Sequence, residues 1–315
     1  MEMKKAFFLS SVRCLALAGV ALVLLSGCAG RSALDRDRLF RETMPEADAT
    51  VADYDALVFD SEGSEIYGQI LKPDRSYGMG RPCVLLFHGF AGFARFDDIG
   101  QALCRAGCVV VIPHHRGAWG SQGKYTVSNC IQDAVNLVRY VKSVPFVQKY
   151  GADPRAVFLV GHSMGGNTVL NAAARTDGVR GIVMLDPCDI GTMTGRTSPD
   201  AMRAFLVDNG LSALRTDGVD AVYGDLVRHA EEYAFPKAVT RLRNTSLLLV
   251  VGEWGLDVED GYLSGFYARA SVCRGIPLCR RQTYPCRHGL MGVRLAVTRD
   301  IANFISDAPL DVPPL

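Results

Sequence analysis

The sequence lacks a charge bias, a long apolar run and any C-x-x-C pair. Its 34 basic and 33 acidic residues give a formal net charge of +1, so no electrostatic feature favours a nucleic acid as partner. Without the C-x-x-C spacing, nothing in the pattern favours a structural zinc site. The 315 residues are 49% hydrophobic, which excludes a disordered chain and indicates a substantial globular core.

An apolar segment over residues 14–25 follows three basic residues near the start of the chain. It is too short to span a hydrocarbon core, which needs about 20 helical residues, and is typical of a secretory signal peptide. The motif Leu25-Ser26-Gly27-Cys28 resembles the bacterial lipoprotein box. That resemblance implies cleavage before Cys28 and acylation of its thiol.

These features predict a signal peptide over residues 1–27 and a polar tether over residues 28–53. Two or more acyl chains on Cys28 would give stable anchoring. We therefore expect an exported lipoprotein that is held on a cell-envelope membrane and faces the periplasm or the cell surface.

Eight further cysteines follow Cys28. An exported chain can oxidise its cysteines, but eight of them permit about a hundred pairings, so connectivity is not readable. The sequence leaves open whether they form disulfides or remain buried thiols. They are Cys83, Cys104, Cys108, Cys130, Cys188, Cys273, Cys279 and Cys286.

Short apolar runs alternate with helical patterns through the middle of the chain. The runs are nearly continuous and rich in β-branched residues, as in strands buried on both faces of a sheet. The alternation predicts an α/β fold over residues 54–306, with a mostly parallel central sheet, helices on both faces and a C-terminal tail over 307–315. The runs are residues 84–87, 109–112, 157–160, 182–185 and 247–251.

The strand pattern stops between residues 189 and 244. Two amphipathic helical patterns, over 199–214 and 219–233, take its place. An insertion of this size between core strands predicts a helical lid that shapes a substrate pocket. The alternative is a packed surface insertion that has no role in function.

The motif Gly161-His162-Ser163-Met164-Gly165 stands between a predicted strand and a predicted helix. A sharp turn from strand to helix would hold Ser163 in a strained conformation, and the flanking glycines would permit close backbone approach. The helix N terminus would direct backbone N–H groups at a developing oxyanion. The context therefore predicts Ser163 as a nucleophile, with a glycine-rich structural turn as the alternative.

This arrangement resembles the α/β-hydrolase family over about residues 54–306. The resemblance implies an oxyanion hole made by the backbone N–H groups of Phe90, after the pair His88-Gly89, and of Met164, after the nucleophile. It also implies that His288, late in the chain and followed by glycine, is the general base. His88 is expected to be structural, as is the loop that contains His114 and His115.

Two aspartates compete for the role of the acid. Most of the family carry it at the fourth residue of a G-x-x-D pattern, but Gly252-Glu253-Trp254-Gly255 has glycine there and Asp257 comes two places later. Asp186 follows the run 182–185, an arrangement similar to that of platelet-activating-factor acetylhydrolases and chlorophyllases; dienelactone hydrolases are a further similar branch. The pattern favours Asp186 and leaves Asp257 as an alternative.

The resemblance implies a serine hydrolase of the esterase or lipase type that forms an acyl-enzyme at Ser163 and needs no cofactor or metal. Its expected partners are a small-molecule or lipid ester and, through Cys28, a membrane. An acyltransferase with the same triad, and a non-catalytic surface lipoprotein that keeps the fold, are alternatives, because one fold hosts many functions.

Overall fold

Eight strands form one sheet within the described residues. The computed structural model describes residues 34–42, 44, 51–256 and 261–309. The strands are β1 Asp53–Ser61, β2 Ser64–Lys72, β3 Arg81–Phe87, β4 Val109–Pro113, β5 Ala152–His162, β6 Gly181–Leu185, β7 Ser246–Trp254 and β8 Cys279–Arg287. They lie in the order β1-β2-β4-β3-β5-β6-β7-β8.

The sheet is antiparallel at one end and parallel elsewhere. β1 and β2 form a hairpin, β2 pairs antiparallel with β4, and all the other neighbours pair in parallel. The predicted α/β fold with a mostly parallel sheet is therefore confirmed. The hairpin begins at Asp53 and ends at Lys72.

Helices cover both faces of the sheet. Alternate residues of a strand point to opposite faces, so Cys83, Leu85 and Phe87 of β3 enter one hydrophobic cluster, and Val84 and Leu86 enter another. The α-helices are α1 Asp97–Arg105, α2 Val127–Val141, α3 Val144–Tyr150, α4 Met164–Ala173, α5 Ile190–Arg196, α6 Pro199–Asp208, α7 Val219–Tyr233, α8 Phe235–Ala238, α9 Tyr262–Ala270 and α10 Arg294–Asp307.

Helix prediction failed for short elements. The pattern predicted as one helix over 199–214 is α6 followed by a separate 3-10 turn, Leu211–Ala213. Gly210 separates them with a φ of 96°, a left-handed conformation that glycine adopts without steric cost. The sequence did not predict α3, α5, α8 or α9; the first three have only four to seven residues, too few to show a helical period.

Part of the predicted tether packs on the domain. Leu34 and Leu39 are buried with the cluster that contains α1, and the N–H of Asp35 donates to the carbonyl of Ala106 at 3.0 Å. These residues belong to the domain because two leucines bury apolar surface there. Residues 1–33, including the predicted signal peptide and Cys28, lie outside the described residues.

The end of the domain also differs from the sequence boundary at residue 306. α10 runs to Asp307, and Ala308 is buried, with its carbonyl accepting a hydrogen bond from Arg180. Among the described helices, none is both long and apolar enough to cross a membrane. All eight cysteines of the described chain are free thiols, and burial raises the pKa of Cys104 and Cys108 to about 12.

Candidate active site

The carboxyl ends of the parallel strands meet at one edge of the sheet, where open α/β sheets bind ligands. Ser163 follows β5 and Asp186 follows β6. His288 follows β8, and Phe90 lies in the loop after β3. Four separate strands thus deliver four predicted site residues to the same edge.

Ser163 forms a strained turn between β5 and α4. Its φ of 56° and ψ of −123° are unusual for a residue with a side chain, and such strain persists only where the surroundings hold it. A β-carbon on Gly161 would lie 2.1 Å from the carbonyl oxygen of Gly165, and one on Gly165 would lie 2.5 Å from that of Phe87. Because any side chain would clash with these backbone oxygens, both positions require glycine, as the G-x-S-x-G motif predicts.

His288 and Asp186 form a hydrogen-bonded pair. Nδ1 of His288 lies 2.7 Å from Oδ2 of Asp186. Asp186 is fully buried, and its carboxylate also accepts from the N–H groups of Gly252 at 3.1 Å and Leu256 at 3.3 Å. A buried carboxylate needs such donors to offset its lost hydration. With Nδ1–H donated to Asp186, Nε2 of His288 is the nitrogen that remains to accept a proton.

The residue opposite this carboxylate is a glycine. A β-carbon on Gly255 would lie 2.3 Å from Oδ2 and 2.5 Å from Oδ1 of Asp186. Gly255 is the position at which the G-x-x-D pattern would carry the acid, so the carboxylate of Asp186 fills that space instead. The alternative acid, Asp257, lies outside the described residues.

Ser163 and His288 line one cavity together with Phe90 and Met164. Met164 is the first residue of α4, where an N–H has no partner inside the helix. Neither its N–H nor that of Phe90 donates a hydrogen bond to another described residue. A serine, an imidazole paired to a carboxylate and two available N–H donors therefore surround one space, the set that acyl transfer through a serine requires.

Comparison with known proteins agrees with this geometry. Residues 82–245 match the model of the family described as the alpha/beta hydrolase fold. The chain belongs to the α/β-hydrolase family. A monoglyceride lipase of Rattus norvegicus is 28% identical over 166 residues, which are 51% of this chain and 52% of that protein. The chain therefore spans about half the length of this curated relative.

Solved structures of other proteins share the fold. Est1E from Butyrivibrio proteoclasticus aligns with a TM-score of 0.59 and 19% identity, covering 79% of this chain and 97% of its own. EstE1, a carboxylesterase cloned from a metagenomic library, aligns with a TM-score of 0.60 and 18% identity, covering 84% and 92%. The resemblance to α/β-hydrolases seen in the sequence is thereby confirmed.

A second histidine, His162, supports His288. Nε2–H of His162 donates to the backbone carbonyl of His288 at 2.8 Å, and the two ring centroids lie 4.5 Å apart. Burial lowers the pKa of His162 to about 4, so its imidazole is neutral near pH 7. No signal in the sequence indicated this contact, since no local pattern links His162 to a residue 126 positions later.

The histidines after β3 and β4 brace the loop that carries Phe90. Nδ1 of His88 hydrogen-bonds the carbonyl of Gly89 at 2.8 Å, and Nε2–H of His115 donates to the carbonyl of His88 at 3.0 Å. Burial lowers the pKa of His88 and lowers that of His115 to about 4, so both are neutral. His114 instead lies beside Arg95. No group of side chains in the described part of the chain is arranged to hold a metal ion.

The insertion over residues 189–244, called the lid below, forms much of the cavity wall. Its helices α5, α6 and α7 pack against one another and line the cavity with apolar side chains, and Asn209 at the C-terminal end of α6 adds a polar one. The volume is about 170 Å³. The sequence predicted α6 and α7 but not α5, and it named none of the apolar side chains that these helices contribute. They are Ile190, Met193, Phe205, Leu206, Val222 and Leu226.

Proposed function

We propose that this protein is a serine hydrolase that cleaves carboxylic esters, with Ser163 as nucleophile, His288 as general base and Asp186 as the acid that orients it. The 2.7 Å hydrogen bond between His288 and the buried Asp186, in a cavity shared with Ser163, carries the proposal. The names of a monoglyceride lipase and a carboxylesterase among the similar proteins support esters as the substrate class. The acid after β6 supports the branch that resembles platelet-activating-factor acetylhydrolases.

Acylation begins when Oγ of Ser163 attacks the ester carbonyl and passes its proton to Nε2 of His288. The resulting imidazolium is stabilised by its hydrogen bond to the carboxylate of Asp186. The N–H groups of Phe90 and Met164 bind the developing oxyanion; losing one such donor typically costs about 3 kcal/mol of transition-state stabilisation. His288 then gives its proton to the leaving alcohol, and the acyl group remains on Ser163.

Deacylation repeats these steps with water as the nucleophile. His288 takes a proton from water, which attacks the acyl carbon, and the tetrahedral intermediate collapses to release the carboxylic acid. The proton returns to Oγ of Ser163. No group beyond the side chains and amides already described is needed.

Active-site labelling tests the nucleophile directly. A fluorophosphonate probe is expected to label the full-length protein, and Ser163→Ala is expected to abolish both labelling and hydrolysis of p-nitrophenyl butyrate. Ser271→Ala is a matched control, because its exposed hydroxyl bonds only to the backbone of its own helix. Labelling that survives in Ser163→Ala would show that another residue is the nucleophile.

We also propose that acylated Cys28 holds the enzyme at a cell-envelope membrane, on the strength of the lipoprotein-box resemblance. In a bacterial host, incorporation of labelled palmitate into the full chain and loss of that label in Cys28→Ser are expected. Wild-type protein that remains unlabelled and soluble would refute the anchor without affecting the proposed chemistry.

A further inference from the structure

We propose that the cavity beside Ser163 is an acyl pocket that admits about six carbons, so that the enzyme prefers short-chain or single-ring acyl esters over long-chain lipid esters. This inference rests on the proposed function and adds a substrate class to it. The size, the lining and the surroundings of the cavity each support it.

The size of the cavity sets the limit. Its volume of about 170 Å³ lies below the ~300–1,000 Å³ of pockets that enclose drug-sized ligands. An engineered apolar protein cavity of about 150 Å³ is filled by one benzene molecule. Six carbons, as in a hexanoyl group or one aromatic ring, are therefore the largest acyl group that this volume encloses.

The wall of the cavity is packed. Leu206 of α6 and Val222 and Leu226 of α7 are 3%, 0% and 1% exposed, so they are held by other side chains rather than free to swing aside. Close-packed interiors resist the insertion of extra methylene groups. A longer chain would have to displace these side chains.

The space next to the cavity is a cleft of mixed polarity. This cleft of about 230 Å³ shares Cys188, Met193 and Leu256 with the cavity. Beyond them its lining combines Pro187, Tyr262 and Leu263 with Asp189, Thr192 and Arg196. An acyl chain that extended past the first cavity would lie partly against polar and charged groups, and burying these against a hydrocarbon is unfavourable.

The position of His288 indicates which half of the ester enters the cavity. His288 delivers its proton to the leaving alcohol, so the alcohol must lie beside the imidazole. The His288 side chain is 36% exposed, whereas four of the lid side chains, Ile190, Leu206, Val222 and Leu226, are buried. The alcohol therefore leaves from the exposed side, and the acyl group lies under the lid.

A series of p-nitrophenyl esters from acetyl to dodecanoyl, each below its solubility limit, tests the pocket in the full-length enzyme. We expect kcat/KM to rise by up to about fourfold for each methylene that fits, as the transfer of a methylene from water predicts. The maximum should fall between butanoyl and hexanoyl, with at least a tenfold drop at decanoyl. A series of butanoate esters with longer alcohols should show no such cut-off.

Lid variants should move the maximum. Leu206→Ala removes three carbons from the wall and should shift the optimum to acyl chains about two to three carbons longer. Val222→Leu should shift it to shorter chains. Leu103→Ala is the matched control, since Leu103 of α1 is equally buried but belongs to a different hydrophobic cluster.

The outcomes separate the two proposals. Suppose that the enzyme is labelled at Ser163 but its kcat/KM still rises at decanoyl, or its cut-off appears in the alcohol series. Either result would refute the acyl-pocket proposal and leave the ester-hydrolase proposal intact. If neither labelling nor hydrolysis occurs at any chain length, the proposed function fails and the pocket assignment fails with it. An optimum that Leu206→Ala and Leu103→Ala shift equally would also refute a pocket under the lid.

Discussion

The carboxylate of Asp186 occupies the space that a side chain at residue 255 would need, since a β-carbon there would lie 2.3 Å from Oδ2. The φ of Gly255 is not in the left-handed region, so its backbone alone does not demand glycine. Asp186 itself adopts a φ of 39°, which is rare for a residue with a side chain. The acid after β6 and the glycine after β7 are thus two parts of one arrangement.

Asp186→Asn is expected to reduce kcat by about 10⁴-fold, the loss typical when the carboxylate that orients a catalytic histidine is replaced by an amide. The reason is that an asparagine can present its NH₂ to Nδ1 of His288 and favour the wrong tautomer. Steady-state kinetics on p-nitrophenyl butyrate measures the loss. Asp257→Asn is the control and should stay near wild type; a larger loss there would assign the acid to Asp257.

Gly255→Ala should lower kcat with little change in KM, because the added methyl group displaces the carboxylate from His288 rather than altering the cavity. Gly265→Ala, in α9, is the matched control, as a β-carbon there meets nothing within 4 Å.

The double variant Asp186→Ala/Gly255→Asp sharpens this test. It places a carboxylate on the other strand and should recover part of the activity lost in Asp186→Ala alone. A Gly255→Ala enzyme with wild-type kcat would show that the close approach has no functional consequence.

His162→Phe should reduce kcat by about tenfold while KM is unchanged, because the His288 carbonyl loses its only donor among the described side chains. His162→Gln, which retains an N–H donor, should recover much of the rate. Equal losses in kcat for the two variants would indicate that His162 acts through packing alone. Circular dichroism of both variants checks that the fold is intact.

The stability of the protein should fall as the pH is lowered from 6.5 towards 4. Burial depresses the pKa of His115 and His162 to about 4 in the folded protein, so between these pH values the unfolded chain binds protons that the folded protein excludes. The free energy of unfolding is undiminished by these groups above about pH 6.5. By pH 4, each of the two histidines is expected to lower it by on the order of 3 kcal/mol.

Urea denaturation between pH 7 and 4.5 measures this dependence. His115→Asn should flatten the pH dependence. A free energy of unfolding that stays constant across this range would contradict the prediction.

The sequence pattern alone predicted the features that depend on a few neighbouring residues. The turn at Ser163 follows from Gly161, Gly165 and the flanking strand and helix, because the steric demand acts between neighbours. The parallel sheet follows from the continuous apolar runs, since only strands buried on both faces tolerate them.

Tertiary structure decided the rest. Asp186 and His288 are 102 residues apart, and no spacing rule relates them; only the parallel pairing of β6, β7 and β8 brings their ends together. The same holds for the glycine that makes room for the acid, the histidine that holds the His288 carbonyl, and the volume under the lid. Each depends on distances between segments far apart in the chain, which packing determines and local sequence does not encode.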